Sequence, residues 1–498
     1  MSRGFLPIPA LQLRARSARG VRRVPGVAYV EPLASRRLAF VPDDPFVSRQ
    51  WYLTETRAFD FWPQPPNLPS VRVALIDSGV DGRHPELAGA IALAKSFVGG
   101  SALTDQQGHG TFIAGEIAAA LDNKQGIAGV AFPAQLLIAK VVRADGTISI
   151  GAEIRAIRWA VANGAQVINL SLGGVRDPLN RRHDTYSRLE QAAVDYAFSK
   201  GAVLVAAVGN SDQAPSSPWP YASYPAALPH VIGVSALARD GSVPAFSNRD
   251  AIYNDLAAPG QDIFSTFPLD LTAEQPGCAE QGYSSCGPPE YRRAEGTSFA
   301  APQVSAAAAL LLAMRPTLRP DQVATLLERT ADDANEATGC RRCLLDRDPL
   351  SGWGRLDIAA ALEALRADRI PSRDRFEAND DAGSSAARLW GSARSISATL
   401  DYWDDQIDVY GIHLSRGQLL SASVVGPPAA DTNLALWKPG TRRVEGLSVR
   451  IGLRLRLSAG PGAAERVAYR ARRPGWYYLE IKLSTPGSGP YRLDLTKT

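Results

Sequence analysis

The chain has 498 residues, of which 45% are hydrophobic and 21% charged, the composition of an ordinary globular protein. This composition excludes a disordered, collagen-like or coiled-coil chain, and at about 150 residues per domain the length predicts two to four domains. The 54 basic and 50 acidic residues leave a net charge of +4, too small a bias over this length to indicate a nucleic-acid-binding protein. The longest apolar run, near residues 304–314, is shorter than the roughly 20 residues that cross a bilayer, so we expect no membrane span.

The first residues do not read as a secretory signal. Pro7 and Pro9 interrupt the short apolar stretch, and Arg14 and Arg16 follow soon after. A signal needs an uninterrupted apolar core of about 7–15 residues. We therefore expect either that the protein stays inside the cell or that its true start lies upstream of Met1.

Short apolar runs alternate with segments of helical periodicity from about residue 70 to residue 315. The runs are brief and rich in β-branched residues, as in strands covered on both faces. They occupy residues 71–77, 135–142, 165–172, 202–208 and 230–236, and the helical segments between them occupy 109–121, 150–162 and 187–200. This alternation predicts an α/β fold with a doubly wound parallel sheet, in which active sites lie at the carboxyl ends of the strands.

The composition changes after two further predicted helices, at 320–331 and 357–367. Residues 368–385 are polar and charged and are interpreted as a linker. Beyond them the pattern has period two, without helical spacing, and Gly or Pro turns separate the runs. These runs lie at 407–414, 419–425, 433–437, 450–457, 476–482 and 491–495. The pattern predicts a small antiparallel β-sandwich domain over residues 386–498.

Four cysteines form two close pairs, Cys278 with Cys286 and Cys340 with Cys343. An even number of cysteines in near pairs favours two small disulfide loops in an oxidising compartment. Free thiols and a metal site are the alternatives. A zinc site needs two knuckles, and only Cys340 and Cys343 have the required spacing.

Three segments place reactive side chains at strand ends or helix starts. Asp77 ends a buried run and precedes Ser-Gly, His109 lies in Gly-His-Gly-Thr, and Ser298 lies in Glu-Gly-Thr-Ser-Phe-Ala-Ala-Pro before the most apolar helix. Each has a plain structural explanation, since Asp forms turns and Ser caps helices, while a histidine at a helix start is often simply packed. All three in this order are improbable by chance.

These three segments resemble the catalytic motifs of the subtilisin-like (subtilase) serine peptidases, whose chain order is Asp, His, Ser. The resemblance spans about residues 44–367 and includes four further segments: His84-Pro-Glu-Leu, Asn169-Leu-Ser-Leu-Gly-Gly, Phe246-Ser-Asn and Ala258-Pro-Gly. It implies an α/β peptidase domain over these residues. It also implies a serine endopeptidase that cleaves protein substrates through an acyl-enzyme and needs no cofactor for the chemistry.

The resemblance implies a role for each residue of the site. Ser298 is the nucleophile, His109 is the general base and then the general acid, and Asp77 orients the imidazole. The amide of Asn210, together with the backbone N–H of Ser298, forms the oxyanion hole.

The same resemblance implies the substrate-binding walls. Ser171, Leu172 and Gly173 form one wall of the P1 pocket and pair with the peptide as an added strand, and Gly173 lets the peptide backbone approach closely. The facing wall runs from Ala207 to Gly209. We expect broad specificity with a preference for a large apolar P1 residue.

A calcium site is also implied. Residues 121–129, with Asn123, resemble a calcium loop of the family, and Glu86 falls where a carboxylate ligand is expected. Ca²⁺ takes roughly 6–8 oxygen ligands, whereas this segment shows few and contains Lys124, so a loop without metal is the alternative. The Tyr224–Pro225 bond matches a family position that is often cis, although a trans bond is the ordinary state.

Both ends of the chain carry weaker resemblances. Residues 24–32 look like the last strand of a subtilase inhibitory propeptide, so residues 1–43 are interpreted as a propeptide remnant and linker, removed by cleavage between Pro32 and Gln50. Residues 374–381, 405–410 and 475–479 resemble the bacterial prepeptidase C-terminal domain, which accompanies secreted peptidases.

We therefore expect a monomeric extracytoplasmic endopeptidase, secreted or periplasmic. An intracellular subtilase and a catalytically silent binding protein on the same fold are the alternatives.

Overall fold

The computed structural model describes residues 40–271, 290–371, 374–377, 379–402, 405–428, 430–444 and 449–498. The predicted propeptide strand at 24–32 lies outside the described residues, as does the Cys278 and Cys286 pair. Of the predicted cleavage interval between Pro32 and Gln50, residues 32–39 also lie outside the described residues.

Seven strands form one sheet in the order β2-β3-β1-β4-β5-β6-β7. They are β1 (Val71–Asp77), β2 (Ile91–Ser96), β3 (Ala134–Lys140), β4 (Val167–Leu170), β5 (Val203–Ala207), β6 (Val231–Leu237) and β7 (Leu256–Pro259). Every neighbouring pair is parallel, which confirms the predicted sheet. The sequence pattern misses β2 because four of its six residues are exposed, and misses β7 because it has only four residues.

The described residues contain seven α-helices. They are α1 (Trp51–Glu55), α2 (His109–Ala118), α3 (Ile150–Ala162), α4 (Arg188–Ser199), α5 (Ala301–Met314), α6 (Pro320–Arg329) and α7 (Ile358–Arg366). Helices α3 and α4 begin where predicted because Ser149 and Ser187 accept hydrogen bonds from backbone N–H groups of the first turn. Asp357 caps α7 in the same way.

The sheet has a hydrophobic core on each face. Val73 and Leu75 of β1 belong to the core that contains residues of α2, α5, α6 and α7. Ala74 and Ile76 belong to the core that contains residues of α3 and α4. Because side chains alternate along a strand, this division shows that β1 is covered on both faces, as in a doubly wound fold.

Helix α5 lies inside the core. The stretch Thr297–Met314 is long and apolar enough by composition to cross a membrane, and 89% of it is buried within the fold. Its apolar character is that of a helix surrounded by protein, because its neighbours include strands β1, β4 and β5 and helices α2, α6 and α7.

The remaining strands form three smaller sheets. They are the antiparallel pair β8 (Ile263–Thr266) and β9 (Tyr291–Ala294), followed by β10 (Ala387–Leu389), β11 (Ala393–Asp401), β12 (Ile407–Leu414), β13 (Leu419–Val425), β14 (Thr432–Trp437), β15 (Arg454–Ser458), β16 (Ala464–Arg470), β17 (Gly475–Leu483) and β18 (Ser488–Lys497). Strands β10-β12-β17-β14-β15 form one sheet and β11-β18-β13-β16 the other. Apart from the parallel pair β10–β12, the pairing is antiparallel, which confirms the sandwich. The predicted linker 368–385 falls between α7 and β10.

Candidate active site

Asp77 and His109 meet at the carboxyl end of the central strand. Asp77 is the last residue of β1 and is 2% exposed, and His109 is the first residue of α2. Nδ1 of His109 lies 2.8 Å from Oδ1 of Asp77, which also accepts the backbone N–H of Ser78 at 2.7 Å. A side chain at Gly110 would overlap the Gly79 carbonyl oxygen, so glycine allows the helix to start this close to the strand.

The environment of His109 favours its charged form. Burial of the imidazole would by itself lower its pKa, but the carboxylates of Asp77 and Asp105 act in the opposite direction and leave the pKa raised. Because Nδ1 faces Asp77, Nε2 is the nitrogen that can exchange a proton with another group. The ring also packs against Phe299, with ring centroids 5.4 Å apart.

Asp105 holds the start of α2, a role that was not predicted from the sequence. Its Oδ1 accepts the N–H of Gly108 at 2.9 Å, and its Oδ2 accepts both the N–H and the hydroxyl of Thr111 at 2.8 and 2.7 Å. The Ser78 hydroxyl donates to the same carboxylate at 2.8 Å, which ties the helix start to the end of β1. An Asp three residues before a Gly that precedes the helix was an available capping signal.

Ser298 lies in a 3-10 turn, Thr297–Phe299, immediately before α5. Its hydroxyl donates to the Ser171 carbonyl oxygen at 3.2 Å, and the Ser171 hydroxyl donates to the Ser298 carbonyl oxygen at 2.8 Å. Among the described residues, Ser298 makes no hydrogen bond with His109. The fold therefore brings Asp77 and His109 into direct contact and places Ser298 beside the Phe299 ring that packs on His109.

Asn210 is oriented by the same turn. It follows β5, and its Oδ1 accepts the backbone N–H and the hydroxyl of Thr297, both at 3.0 Å. The N–H of Gly209 donates to the Thr297 hydroxyl at 3.1 Å. These contacts fix the carbonyl end of the Asn210 amide, and in the described part of the chain its NH₂ group makes no hydrogen bond. A free donor thus lies next to the turn that carries Ser298.

The predicted substrate walls follow adjacent strands. Ser171, Leu172 and Gly173 come directly after β4, and Ala207 and Gly209 lie at the end of β5. These two strands are neighbours in the sheet, so both segments emerge at the edge that carries Asp77 and Asn210.

The fold requires a glycine at position 173 for a reason other than the predicted approach of the substrate backbone. A Cβ at Gly173 would lie 2.5 Å from the Tyr224 carbonyl oxygen, so this chain's own backbone already requires a glycine there. The neighbouring Gly174 exchanges two backbone hydrogen bonds with Tyr224, both 2.9 Å long. The Tyr224–Pro225 peptide bond is cis.

The residues predicted to bind calcium also lie together. Glu86 is 1% exposed, and its carboxylate contacts the Tyr291 hydroxyl at 3.3 Å and the Asn123 amide nitrogen at 3.5 Å. Asp44 accepts the backbone N–H groups of Asp122 and Asn123. Burial, with a smaller contribution from the charge of Asp44, raises the pKa of Glu86 to about 7. The carboxylates of Glu86 and Asp44 are both buried and repel each other, which fits a site for a cation. The side-chain oxygen of Asn123 already accepts the N–H of Gln125 at 2.7 Å, so this hydrogen bond competes with its use as a calcium ligand.

Cys340 and Cys343 are buried, and their sulfur atoms lie 1.94 Å apart. They form a small cluster with Ala334, against which Val243 and Leu350 pack.

Comparison with known proteins gives the family. The model of the Subtilase family matches residues 69–343, more than half of the chain. The chain belongs to the Subtilase family. Subtilisin DY of Bacillus licheniformis is 35% identical over 269 residues, which are 54% of this chain and 86% of that protein. Subtilisin E of Bacillus subtilis is 34% identical over 331 residues, 66% of this chain and 76% of that protein. Thermitase of Thermoactinomyces vulgaris is 33% identical over 296 residues, 59% of this chain and 92% of that protein.

The family confirms the resemblance predicted from the three motifs. This subtilase is a serine-type endopeptidase, a hydrolase that cleaves protein substrates. The matched residues 69–343 contain Asp77, His109, Asn210 and Ser298. They end before the sandwich formed by β10 to β18.

Proposed function

We propose that Asp77, His109 and Ser298 act as the catalytic triad of this subtilase. The observation that carries the proposal is the 2.8 Å contact between His109 Nδ1 and Asp77 Oδ1, made by a strand end and a helix start in a fold whose family is serine peptidases. In this arrangement Asp77 fixes the imidazole tautomer and stabilises the imidazolium that forms during the reaction.

The reaction starts with a rotation of the Ser298 side chain. Its hydroxyl leaves the Ser171 carbonyl and turns to Nε2 of His109, which takes the proton as Oγ attacks the scissile carbonyl carbon. The tetrahedral intermediate collapses when His109 gives that proton to the leaving amine, and an acyl-enzyme remains. A water molecule, deprotonated by His109, then attacks the ester and releases the acid and free Ser298.

The oxyanion is stabilised by two donors in this proposal. They are the NH₂ group of Asn210 and the backbone N–H of Ser298. The contacts from Asn210 Oδ1 to Thr297 support the assignment because they hold the amide with its donor end free, before substrate arrives. Such preorganisation makes one donor worth about 3 kcal/mol of transition-state stabilisation.

The substrate binds as an extended strand between the two walls. Ser171 to Gly173 supply one wall and Ala207 to Gly209 the other, because these segments leave neighbouring strands and both are hydrogen-bonded to the turn that carries Ser298. Backbone pairing recognises any extended peptide, which gives broad specificity, and a large apolar P1 side chain fits between the walls.

The proposal also covers a calcium site, a disulfide and the compartment in which the protein acts. Glu86 and Asp44, with the loop around Asn123, bind a Ca²⁺ ion that stabilises the fold and takes no part in the chemistry. Cys340 and Cys343 form a disulfide in this proposal, because they are paired in the fold, and such a bond suits an extracytoplasmic protein. We further propose that the protein acts as a monomer. A mass shift on alkylation without reductant tests the disulfide, because only free thiols react.

The experiment that tests the proposed function is labelling with a fluorophosphonate, combined with casein cleavage. Labelling is expected on Ser298 of the full chain and is expected to vanish in Ser298→Ala. The matched control is Ser199→Ala, an exposed serine at the end of α4, which should label and cleave like the parent protein. A folded, calcium-supplied protein that neither labels nor cleaves casein would instead be a catalytically silent binding protein.

A further inference from the structure

Arg443 of the sandwich reaches across to the parallel-sheet domain. It lies between β14 and β15, and its Nη1 donates to the Tyr186 hydroxyl at 2.6 Å. Its Nε donates to the Asp381 carboxylate at 2.9 Å, and Asp381 also accepts the backbone N–H of Val444 at 2.7 Å. The guanidinium is therefore held by a carboxylate on its own side, and its other arm fixes a tyrosine of the peptidase domain.

The tyrosine that Arg443 holds packs on a second tyrosine. Tyr186 lies shortly before α4, and its ring meets the Tyr224 ring with centroids 5.6 Å apart and the planes inclined by 57°. The Arg443 guanidinium lies 5.9 Å from the centroid of the Tyr186 ring, and Tyr224 is only 8% exposed. Because a tyrosine ring is rigid, a hydroxyl held by Arg443 limits the positions of the surface against which Tyr224 packs.

The backbone of Tyr224 and of the residue before it joins the two proposed substrate walls. The N–H and the carbonyl oxygen of Tyr224 both pair with Gly174 at 2.9 Å, directly after the wall Ser171–Gly173. The N–H of Ser223 donates at 2.8 Å to the carbonyl oxygen of Val208, in the middle of the facing wall. The position of this dipeptide therefore sets where both walls stand.

Close packing couples the wall to the two tyrosines. A Cβ at Gly173 would lie 2.5 Å from the Tyr224 carbonyl oxygen, and a Cβ at Gly174 would lie 2.3 Å from the hydroxyl oxygen of Thr185, the residue before Tyr186. Atoms packed this closely cannot absorb a displacement of either tyrosine. A shift of Tyr186 is therefore passed on to the wall.

We propose that Arg443 is a positioning residue for the substrate-binding wall Ser171–Gly173. It acts through the ring of Tyr186 and then through Tyr224, so that the sandwich holds the wall in the form that pairs with an extended peptide. The inference rests on the substrate walls of the proposed function and not on the chemistry of the triad. Its effect is expected on the binding of extended polypeptides and not on the reactivity of the Ser298 hydroxyl.

The size of the effect follows from the cost of ordering a loose edge. A peptide that adds to a strand edge gains its affinity from backbone hydrogen bonds, which need the edge to be fixed. When the contact between Arg443 and Tyr186 is lost, the peptide must itself order the wall, and this cost lowers its affinity. A hydrogen bond of ordinary net strength corresponds to a change in affinity of about 5-fold.

The first test measures the binding of a fluorescent extended peptide with an apolar P1 residue, by anisotropy, to the full chain with Ser298→Ala. Arg443→Met removes the donors and keeps most of the side-chain length, and it should raise Kd by about 5-fold. Tyr186→Phe removes only a hydroxyl, should raise Kd equally, and serves if Arg443→Met does not fold. The double variant should bind like either single variant, because both changes break the same contact. The matched control is Arg442→Met, the replacement of an exposed neighbour, which should bind like the parent.

The second test separates positioning from general damage in the active protein. In Arg443→Met and in Tyr186→Phe, KM for an extended peptide should rise by about 5-fold while kcat stays the same, because the wall binds substrate and transition state alike. The rate of fluorophosphonate labelling should equal that of the parent, because the reagent is too small to pair with the wall. A merely structural role would slow the labelling as well.

Two kinds of result overturn the proposal. One is a Kd in Arg443→Met and Tyr186→Phe equal to that of the parent, or a double variant whose loss is the sum of the single losses. The other is a labelling rate that falls together with the affinity. If the parent chain neither labels nor cleaves, the proposed triad fails. The comparison of Kd on the Ser298→Ala background still decides whether Arg443 positions the wall.

Discussion

Nδ1 of His109 lies 2.8 Å from Oδ1 of Asp77, although 32 residues separate the two in the chain. The contact exists because Asp77 ends β1 and His109 begins α2, so that the first turn of the helix lies at the carboxyl end of the strand. Strand end and helix start are both rigid, so the pair is positioned before any substrate arrives.

The first prediction concerns this contact. Asp77→Asn should lower kcat by about 10⁴-fold with little change in KM, because the amide would favour the wrong imidazole tautomer and could not stabilise the imidazolium. Steady-state kinetics on a chromogenic peptide measure both constants. The control is Asp145→Asn, an exposed residue of the turn between β3 and α3, which should leave them unchanged. A loss smaller than 10-fold would contradict the assigned role of Asp77.

Asp105 should influence the pH dependence of the reaction. Its charge contributes to the raised pKa of His109, so Asp105→Asn should lower that pKa. The base must be neutral to accept a proton, and kcat/KM therefore falls as the pH drops through the His109 pKa. The acid limb of the profile should move to lower pH in Asp105→Asn and stay in place in the exposed control Asp240→Asn. An unmoved limb would mean that the charge of Asp105 does not reach the imidazole.

The same substitution should destabilise the protein. Asp105 accepts hydrogen bonds from the N–H groups of Gly108 and Thr111 with different oxygens, and an Asn offers only one of these acceptors. The free energy of unfolding should fall by about 1 kcal/mol, as for the loss of a helix cap. Denaturant unfolding measures it, in a Ser298→Ala background.

Asn210 can be tested by two substitutions that differ in one contact. Asn210→Ala removes the side-chain donor and also the acceptor for Thr297, whereas Asn210→Asp keeps an acceptor for Thr297 and loses the NH₂ group. Both should lower kcat by about 10²- to 10³-fold. Only Asn210→Ala should also lower thermal stability. Near-normal kcat in either variant would exclude the amide from the oxyanion hole.

The calcium proposal predicts a specific response to chelation. Calcium at 100 times its Kd should add about 2.7 kcal/mol to the free energy of unfolding, and a chelator should remove this stabilisation. Glu86→Gln should greatly reduce the response, and Glu336→Gln, at an exposed position, should retain it. Calorimetry on the Ser298→Ala background measures the shift. Equal responses in both variants would place any calcium elsewhere.

The regular elements were predictable from the sequence because their signals are local. The observed β1, Val71–Asp77, and α3, Ile150–Ala162, have the bounds that the apolar pattern and a capping serine indicate. The family could also be predicted from the sequence, because the three motifs and their order along the chain can be recognised without knowledge of the fold.

The missed features depend on tertiary contacts. The Ser298 hydroxyl donates to the Ser171 carbonyl oxygen, 127 residues away along the chain, and no sequence pattern encodes this contact. Gly173 is required by the Tyr224 carbonyl, which comes from a loop about 50 residues away along the chain. His230 meets Asp380 only when the segment before β10 packs against the parallel-sheet domain. Such contacts follow from the assembled fold and not from local periodicity.

The last prediction concerns two glutamates away from the site. Glu153 of α3 and Glu190 of α4 are each 3% exposed and share a hydrogen bond. Burial is the main cause that raises the pKa of both carboxyl groups, and the charge of Glu190 raises that of Glu153 further. The folded protein therefore holds protons that the unfolded chain releases above the ordinary pKa of glutamate. Stability should fall as the pH rises from that value towards the folded pKa.

Glu153→Gln removes one of these protons and should flatten this dependence. The variant should be more stable than the parent at pH 8, by on the order of 1 kcal/mol, because a neutral amide can donate to the Glu190 carboxylate. At pH 4, where the glutamate is protonated in the folded protein, the two proteins should differ little. Denaturant unfolding across this range, on the Ser298→Ala background, measures the difference.

Glu363→Gln, at an exposed position of α7, serves as control and should follow the parent at every pH. A parent protein whose stability rises between pH 5 and pH 8, and a variant that rises with it, would show that the pair is ionised in the fold.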